Sequence, residues 1–327
     1  MTSAFNSQLG LVQETTYGTA VTVTKFYEFN SESIQSERGR VESRGQRPSQ
    51  FAQRSDHFVT YQKGASGSIE MDVMSKGFGF LLKHMLGSIS TSTVSDSNYT
   101  HTATIGSHYG SFFTAQVNRP FHPAGTDQAV TYAGGKVKSW KLSAAVEETL
   151  KASLDVDFQN EVTNVALASA SYPTSQYPLT FVTGALTISG TAVPVTKFDL
   201  ECDNKLKLDR NFINLSSLKS EPTAADLRDI KWSAEADFDS LTQYNRFTSA
   251  TAAGSLAQLV LTFTGQIAHG GSTYPSLTVT LPACRFDEPG PSVGGPDPLM
   301  QALGGPVLYD GTNSPVTAAY VSTDSTP

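Results

Sequence analysis

The chain holds 327 residues, of which 39% are hydrophobic, enough to bury one large core or two smaller ones. A formal net charge of −7 and an isoelectric point of about 5.4 exclude a protein built to neutralise nucleic-acid phosphates over a broad face. The opening MTSAFNSQLG lacks the basic and apolar regions of a signal peptide, and no apolar run approaches the ~18 residues of a membrane helix. We therefore expect a soluble protein made in a cytoplasm.

The first feature in chain order is the stretch ETTYGTAVTVTKF, residues 14–26. It is rich in Thr and Val, which favours an extended backbone. Its apolar and polar residues do not alternate strictly, so the stretch has no clear core face. We predict that residues 1–22 form an extended arm that finds few partners in its own chain.

Alternation of apolar and polar residues with period two dominates the rest of the chain and predicts strands. The clearest segments are residues 68–73, 152–158, 196–203, 232–238, 258–265 and 276–286. Apolar residues at helical spacing predict two helices, at about 76–87 and 240–253, with Ser75 and Ser240 as N-caps and Gly87 and Gly254 as C-terminal stops. The predicted fold is mainly β, a sandwich or barrel with two flanking helices and extended arms.

The two predicted helices follow strands that resemble each other at an offset of 165 residues. The matching pairs are Glu70/Glu235, Asp72/Asp237 and Ser75/Ser240. We interpret this as an internal duplication, although chance similarity between short strand–helix junctions remains an alternative. The predicted organisation is an N-terminal arm (1–22), a first module (23–165), a second module (166–310) and a C-terminal arm (311–327).

A polar connection between the first strands carries half of the arginines of the chain. These are Arg38, Arg40, Arg44, Arg47 and Arg54. The segment is a long polar connection, and a solvated, disordered excursion is one interpretation of it.

Motifs for catalysis or metal binding are lacking. The six histidines form no HExxH or His-x-His pattern, and there is no GxSxG elbow or Walker A motif. We predict no cofactor, no metal and no enzymatic activity. Cys202 and Cys284 are expected to be buried free thiols, although a disulfide between them is possible.

Carboxylates two residues apart recur on four predicted strands, opposite an apolar face. They are Glu70, Asp72, Asp155, Asp157, Asp199, Glu201, Asp203, Glu235, Asp237 and Asp239. A solvated sheet face and the acid/base pair of a glycosidase are two interpretations. A third is a shared negative surface, because a solvated face normally mixes charges of both signs.

The opening of the chain resembles that of tail tube proteins of long-tailed bacteriophages. The resemblance rests on Gly10, on Glu14 and on the step Tyr17-Gly18-Thr19 before a first strand and a charged hairpin. It continues through residues 64–88 and 135–159, and the order of elements fits to about residue 310. The resemblance implies a β-sandwich subunit that forms rings, which stack helically into a tube for DNA ejection.

From the resemblance we expect a virion protein whose main partner is itself, with three two-module chains to a ring favoured over six. Other expected partners are the tape measure, terminator and distal tail proteins, while DNA passes without specific binding. The carboxylates would line the lumen, the arginine hairpin would join rings, and Glu14, Tyr17, Gly18 and Thr19 would lie in an inter-subunit arm. A virion adhesin or carbohydrate-binding module of the sandwich class is the alternative.

Overall fold

The computed structural model describes residues 4–95, 97–121, 126–214, 216–269, 272–293, 295–296 and 298–327. About half of the chain is strand and only 7% is helix, which confirms the mainly β prediction. The strands in chain order are β1 Leu9–Gln13, β2 Lys25–Tyr27, β3 Ser31–Glu32, β4 Gln35–Glu42, β5 Phe58–Asp72, β6 Gly87–Ser95, β7 Asn98–Ile105, β8 Phe113–Phe121, β9 Thr126–Ala145, β10 Lys151–Phe158, β11 Asn160–Val162, β12 Gly184–Ile188, β13 Thr191–Ala192, β14 Val195–Asp203, β15 Leu206–Lys207, β16 Thr223–Ala224, β17 Asp229–Asp237, β18 Leu256–Thr264, β19 Ser276–Arg285, β20 Met300–Pro306 and β21 Thr317–Ser322.

The larger sheet contains twelve strands, and seven of them pair antiparallel in the order β4-β5-β10-β9-β14-β17-β20, which we call the main sheet. Strand β9 is 20 residues long and turns at Gly134, whose φ of 71° suits glycine. Its first half pairs with β8 and β11, and its second half pairs with β10 and β14. The bend therefore lets one strand belong to the main sheet and to the layer that holds the N-terminus.

A second sheet of seven strands, in the order β13-β12-β18-β19-β21-β7-β6, covers the apolar face of the main sheet. The two sheets share one core, to which Leu154, Leu200 and Trp232 contribute from one side and Leu261 and Val279 from the other. This arrangement confirms the predicted sandwich.

The C-terminal residues are built into the second sheet. Strand β21, Thr317–Ser322, pairs with β19 on one side and β7 on the other. The backbone carbonyl of Asp324 accepts a hydrogen bond from His101 Nε2 at 2.9 Å. Part of the C-terminal arm expected at 311–327 thus completes a ladder in its own chain, and the boundary of the arm remains a prediction.

Helix α1, Phe78–Leu86, is almost wholly buried and packs between β9 and the strands β6, β7 and β21. Gly77 and Gly87 bound it, both with positive φ. Gly87 is the predicted stop, but Ser75 is not the N-cap. Its hydroxyl instead accepts a hydrogen bond from the amide of Tyr177 at 3.0 Å and is buried.

The second predicted helix shrinks to a single turn, α2 Tyr244–Phe247, followed by a 3-10 turn at Ala253–Ser255. Leu241 stays exposed, so the apolar stripe finds no core to pack on. The hydroxyls of Ser249 and Thr251 accept hydrogen bonds from the amides of Thr251 and Gly254. These local bonds compete with helical ones and end the helix early.

The N-terminal segment also differs from its prediction. Strand β1, Leu9–Gln13, pairs with β8 over five residues and with β2 on its other side, and Leu9 and Leu11 are buried. The partner strand β8 begins 100 residues downstream, at Phe113, which local patterning along 1–22 does not reveal.

The main sheet repeats one arrangement twice. In β4-β5-β10 and again in β14-β17-β20, the middle strand leads into a helix and then into a hairpin of the second sheet. Those hairpins are β6–β7 and β18–β19, and the chain afterwards returns to the third strand of each set. A tandem duplication would produce this order. The module boundaries at 23–165 and 166–310 remain a prediction.

Candidate functional site

The polar face of the main sheet carries the carboxylates predicted from the sequence. Because side chains alternate along a strand, these residues point away from the shared core. The structure brings nine of them onto four strands, and Asp239 follows just after β17. They are Glu70 and Asp72 on β5, Asp155 and Asp157 on β10, Asp199, Glu201 and Asp203 on β14, and Glu235 and Asp237 on β17.

The face is not of one sign, which corrects part of the prediction. Lys141 on β9 lies 2.8 Å from Glu201 and 3.4 Å from Asp199, and Lys197 lies 3.0 Å from Asp199. Burial would raise the pKa of Asp199, but hydrogen bonds from Ser143 and Lys197 and the charges of the two lysines hold it below its usual value. These lysines lie just outside the acidic windows or on a neighbouring strand, so only the strand register reveals the pairing.

Asp157 is buried under a loop instead of lining the open face. Its two carboxylate oxygens accept hydrogen bonds from Lys219 Nζ at 2.6 and 2.7 Å. Beside it, the almost fully buried Lys136 pairs with Glu221 at 2.5 Å. Burial raises the pKa of Asp157 despite the ammonium of Lys219. The loop that contains Lys219 and Glu221 thus covers this end of the sheet through two ion pairs.

We distinguish two ends of the main sheet. The hairpin end holds Ala65, Phe158 and Asp203, and the acidic end holds Asp72 and Asp237. At the acidic end, Asp72 accepts hydrogen bonds from Asn30 Nδ2 and Thr149 Oγ1. No ion pair joins Glu235, Asp237 or Asp239 to any residue that the structure describes, and all three are exposed. Negative charge is therefore least compensated at this end.

Residues 37–63 form a protruding hairpin, which we call the hairpin arm. Strands β4 and β5 pair from Gln35 with Ser66 to Glu42 with Phe58, whereas β10 stops beside Ala65. Residues 58–64 thus extend about 23 Å beyond the sheet at 3.3 Å per residue. The arm is exposed, as are its apolar side chains Val41, Phe51, Phe58 and Val59.

The arginine-rich segment predicted from the sequence is part of this arm. Arg54 pairs with Asp56. Within the described ranges, Arg38, Arg40, Arg44 and Arg47 form no ion pair. These four cations lie on a two-stranded ribbon, a structure that is marginally stable by itself. A contact of this segment with another molecule remains a prediction.

The N-terminal motif has an intrachain role that the sequence alone did not reveal. One oxygen of the buried Glu14 carboxylate accepts hydrogen bonds from Thr114 Oγ1 and the Gly134 amide, both at 2.8 Å. The other accepts the Gly18 amide at 3.0 Å. Burial raises the pKa of Glu14, while these hydrogen bonds oppose the rise.

The other motif residues complete this turn. Tyr17 packs edge-on against Phe112 with ring centroids 5.5 Å apart, and Gly18 has a φ of 76°. The amide of Thr19 donates to the carbonyl of Thr16. An inter-subunit role for Glu14, Tyr17, Gly18 and Thr19 remains a prediction, and their contacts here fix the start of the chain to β8 and β9.

Reactive chemistry is sparse in the described part of the chain. Cys202 and Cys284 are free and buried, as predicted, and burial raises the pKa of Cys202 to about 12. Over the same residues, no group of three or more His, Cys, Asp or Glu side chains could hold a metal ion. Among the described helices, none is long and apolar enough to cross a membrane.

The described residues thus form a β-sandwich whose main sheet spans two repeated halves and presents a polar face, with a charged and exposed arm at one end. The family model for phage tail tube proteins matches residues 4–307, and the chain belongs to that family. It is thus a structural component of the virion. No curated protein matches the chain.

Proposed function

We propose that this tail tube subunit closes into rings that stack into the conduit through which phage DNA enters the host. The observation that carries the proposal is that the main sheet runs unbroken through both repeated halves and ends in β3 and β4 on one side and in β20 on the other. An open strand edge pairs readily with another chain, and a ring of chains removes all such edges. The short β20, with the exposed Ala302, offers such an edge.

Three chains to a ring follow if each repeated half occupies one of six equivalent positions. The repeated strand order supports this stoichiometry over six chains. Because the two halves differ in sequence and β9 occurs only in the first, the ring would have threefold symmetry with a sixfold outline.

The polar face of the main sheet would line the lumen. Its carboxylates outnumber the lysines that neutralise Asp199 and Glu201, so the face keeps a negative excess that repels phosphates. The serines between them, such as Ser139 and Ser143, bond to Asp155 and Asp199 and offer DNA no cationic anchor. DNA would therefore pass without sticking.

The hairpin arm would join one ring to the next, and the terminal rings would meet the tape measure, terminator and distal tail proteins. Synthesis in the cytoplasm of the bacterial host precedes assembly in this scheme. Sedimentation and electron microscopy of the purified protein test the proposal. We expect rings or hollow tubes, and a protein that stays monomeric at all concentrations would contradict it.

A further inference from the structure

We infer that an apolar groove at the acidic end of the main sheet receives the hairpin arm of a second copy of this chain in the neighbouring ring. This inference rests on the proposed function, because it identifies the acceptor of the contact between rings. It commits to one occupant, the apolar and cationic arm of residues 37–63.

The groove opens where the two sheets of the sandwich separate. Its walls are the end of β9 at Val146, the start of β14 at Val195, and Leu186 and Phe263 from the second sheet, with Phe181 at the rim. The cavity measures about 380 Å³. Val146 and Phe181 are exposed although both are apolar, so this surface is incompletely buried in a single chain.

The residues that line the groove favour a polypeptide segment over a small metabolite as its occupant. Among the described residues that line the groove, Thr196 and Lys197 supply the only polar side chains. A small-molecule site usually adds several convergent polar groups that fix the orientation of the ligand. A groove without them matches the insertion of apolar side chains from another protein surface.

The arm and the groove lie at opposite ends of the same strands. Strand β5 runs from the arm at Phe58 to the acidic end at Asp72, and β9 and β14 present the groove at that second end. A contact between the two is head-to-tail, and such a contact builds an open stack when the rotation from copy to copy does not close. Stacking along the tube axis requires this kind of contact.

Charge complementarity supports the same pairing. The arm carries the uncompensated Arg38, Arg40, Arg44 and Arg47. Beside the groove, Glu147 follows Val146 in the chain, and Glu235 pairs across the strands with Lys197 at the groove wall. Asp237 and Asp239 extend this negative border, so arginines of an inserted arm would meet carboxylates around an apolar centre.

Disulfide trapping tests the inference in assembled tubes. The double variant Phe51→Cys, Val146→Cys places one thiol on the arm and one at the groove rim, and the native cysteines are buried. Mild oxidation should give a ladder of linked chains longer than one ring. The matched control, Phe51→Cys with Ser90→Cys on the exposed outer side of β6, should give no ladder.

Filling the groove with a larger side chain provides an independent test. Ala145→Trp, which narrows the groove, should raise the concentration needed for tube formation at least tenfold while single rings persist. Circular dichroism and thermal unfolding verify that the variant folds. Intact tubes without a ladder, or Ala145→Trp tubes that form at the wild-type concentration, would overturn the inference and leave the proposed function standing. A wild-type chain that forms neither rings nor tubes would overturn both.

Discussion

The carboxylate of Glu14 accepts a hydrogen bond from the amide of Gly134 at 2.8 Å, across 120 residues of chain. This contact joins the N-terminal motif to the bend of the longest strand. At this bend β9 stops pairing with β8 of the N-terminal layer and begins to pair with β10 of the main sheet. The N-terminal motif, which can be recognised from the sequence, therefore helps to position the main sheet. The proposed tube is built from this sheet.

Removal of the Glu14 carboxylate should destabilise the fold. Glu14→Ala leaves the Gly18 and Gly134 amides and the Thr114 hydroxyl without their acceptor, and we expect a loss of about 3 kcal/mol in the free energy of unfolding. Urea unfolding measures it. The exposed neighbour Thr15→Ala serves as the control and should change stability by less than about 0.5 kcal/mol. Equal effects of the two substitutions would contradict this role for Glu14.

The buried ion pair between Lys219 and Asp157 should respond strongly to the loss of one partner. Lys219→Met leaves a buried carboxylate without its cation, and we expect a cost of about 3–5 kcal/mol. The exposed pair between Lys207 and Asp209, at 3.1 Å, offers a matched control in which Lys207→Met should leave the free energy of unfolding nearly unchanged. Chemical unfolding measures the stability of both variants. Similar losses in the free energy of unfolding would show that burial does not determine how much each ion pair contributes to stability.

Stability should fall on mild acidification because His108 is buried in its neutral form. Burial lowers the pKa of His108 from 6.5 to about 4, so its contribution is complete above pH 6.5 and is lost as the pH falls toward 4. The full loss is about 3 kcal/mol at 1.4 kcal/mol per pH unit. His108→Gln should flatten the dependence of unfolding free energy on pH in this window. The exposed neighbour Ser107→Ala should keep the wild-type slope, and an unchanged slope in His108→Gln would refute the assignment.

Reversal of charge on the polar face of the main sheet, away from the groove, should slow DNA ejection. The double variant Asp155→Lys, Glu201→Lys adds cations that every ring repeats, and we expect tubes of normal appearance with slower ejection from the phage. Asp226→Lys, an exposed change outside the face, is the control. Ejection kinetics that match wild type would place this face outside the lumen.

Much of the fold could be predicted wherever the alternation of apolar and polar residues within a single strand identifies that strand. The alternation in ASLDVDF, residues 152–158, predicts β10 with its polar and core faces. The four acidic strands were likewise recognised by period two. The tail tube resemblance was confirmed because it rested on the order of elements along most of the chain.

The features that were missed depend on distant partners. Local patterning does not show that β1 pairs with β8, or that Lys141 faces Asp199, because both require the register of other strands. The burial of Asp157 depends on a loop some 60 residues away. The short α2 reflects competition by Ser249 and Thr251, which apolar spacing ignores.

The symmetry of the assembled tube tests the central claim most directly. Cryo-electron microscopy of tubes at side-chain resolution should show three chains to a ring, with the two repeated halves alternating around a lumen lined by the polar face of the main sheet. Ring boundaries should be bridged by the hairpin arm. Six identical chains with true sixfold symmetry, or a lumen lined by the second sheet, would contradict the account.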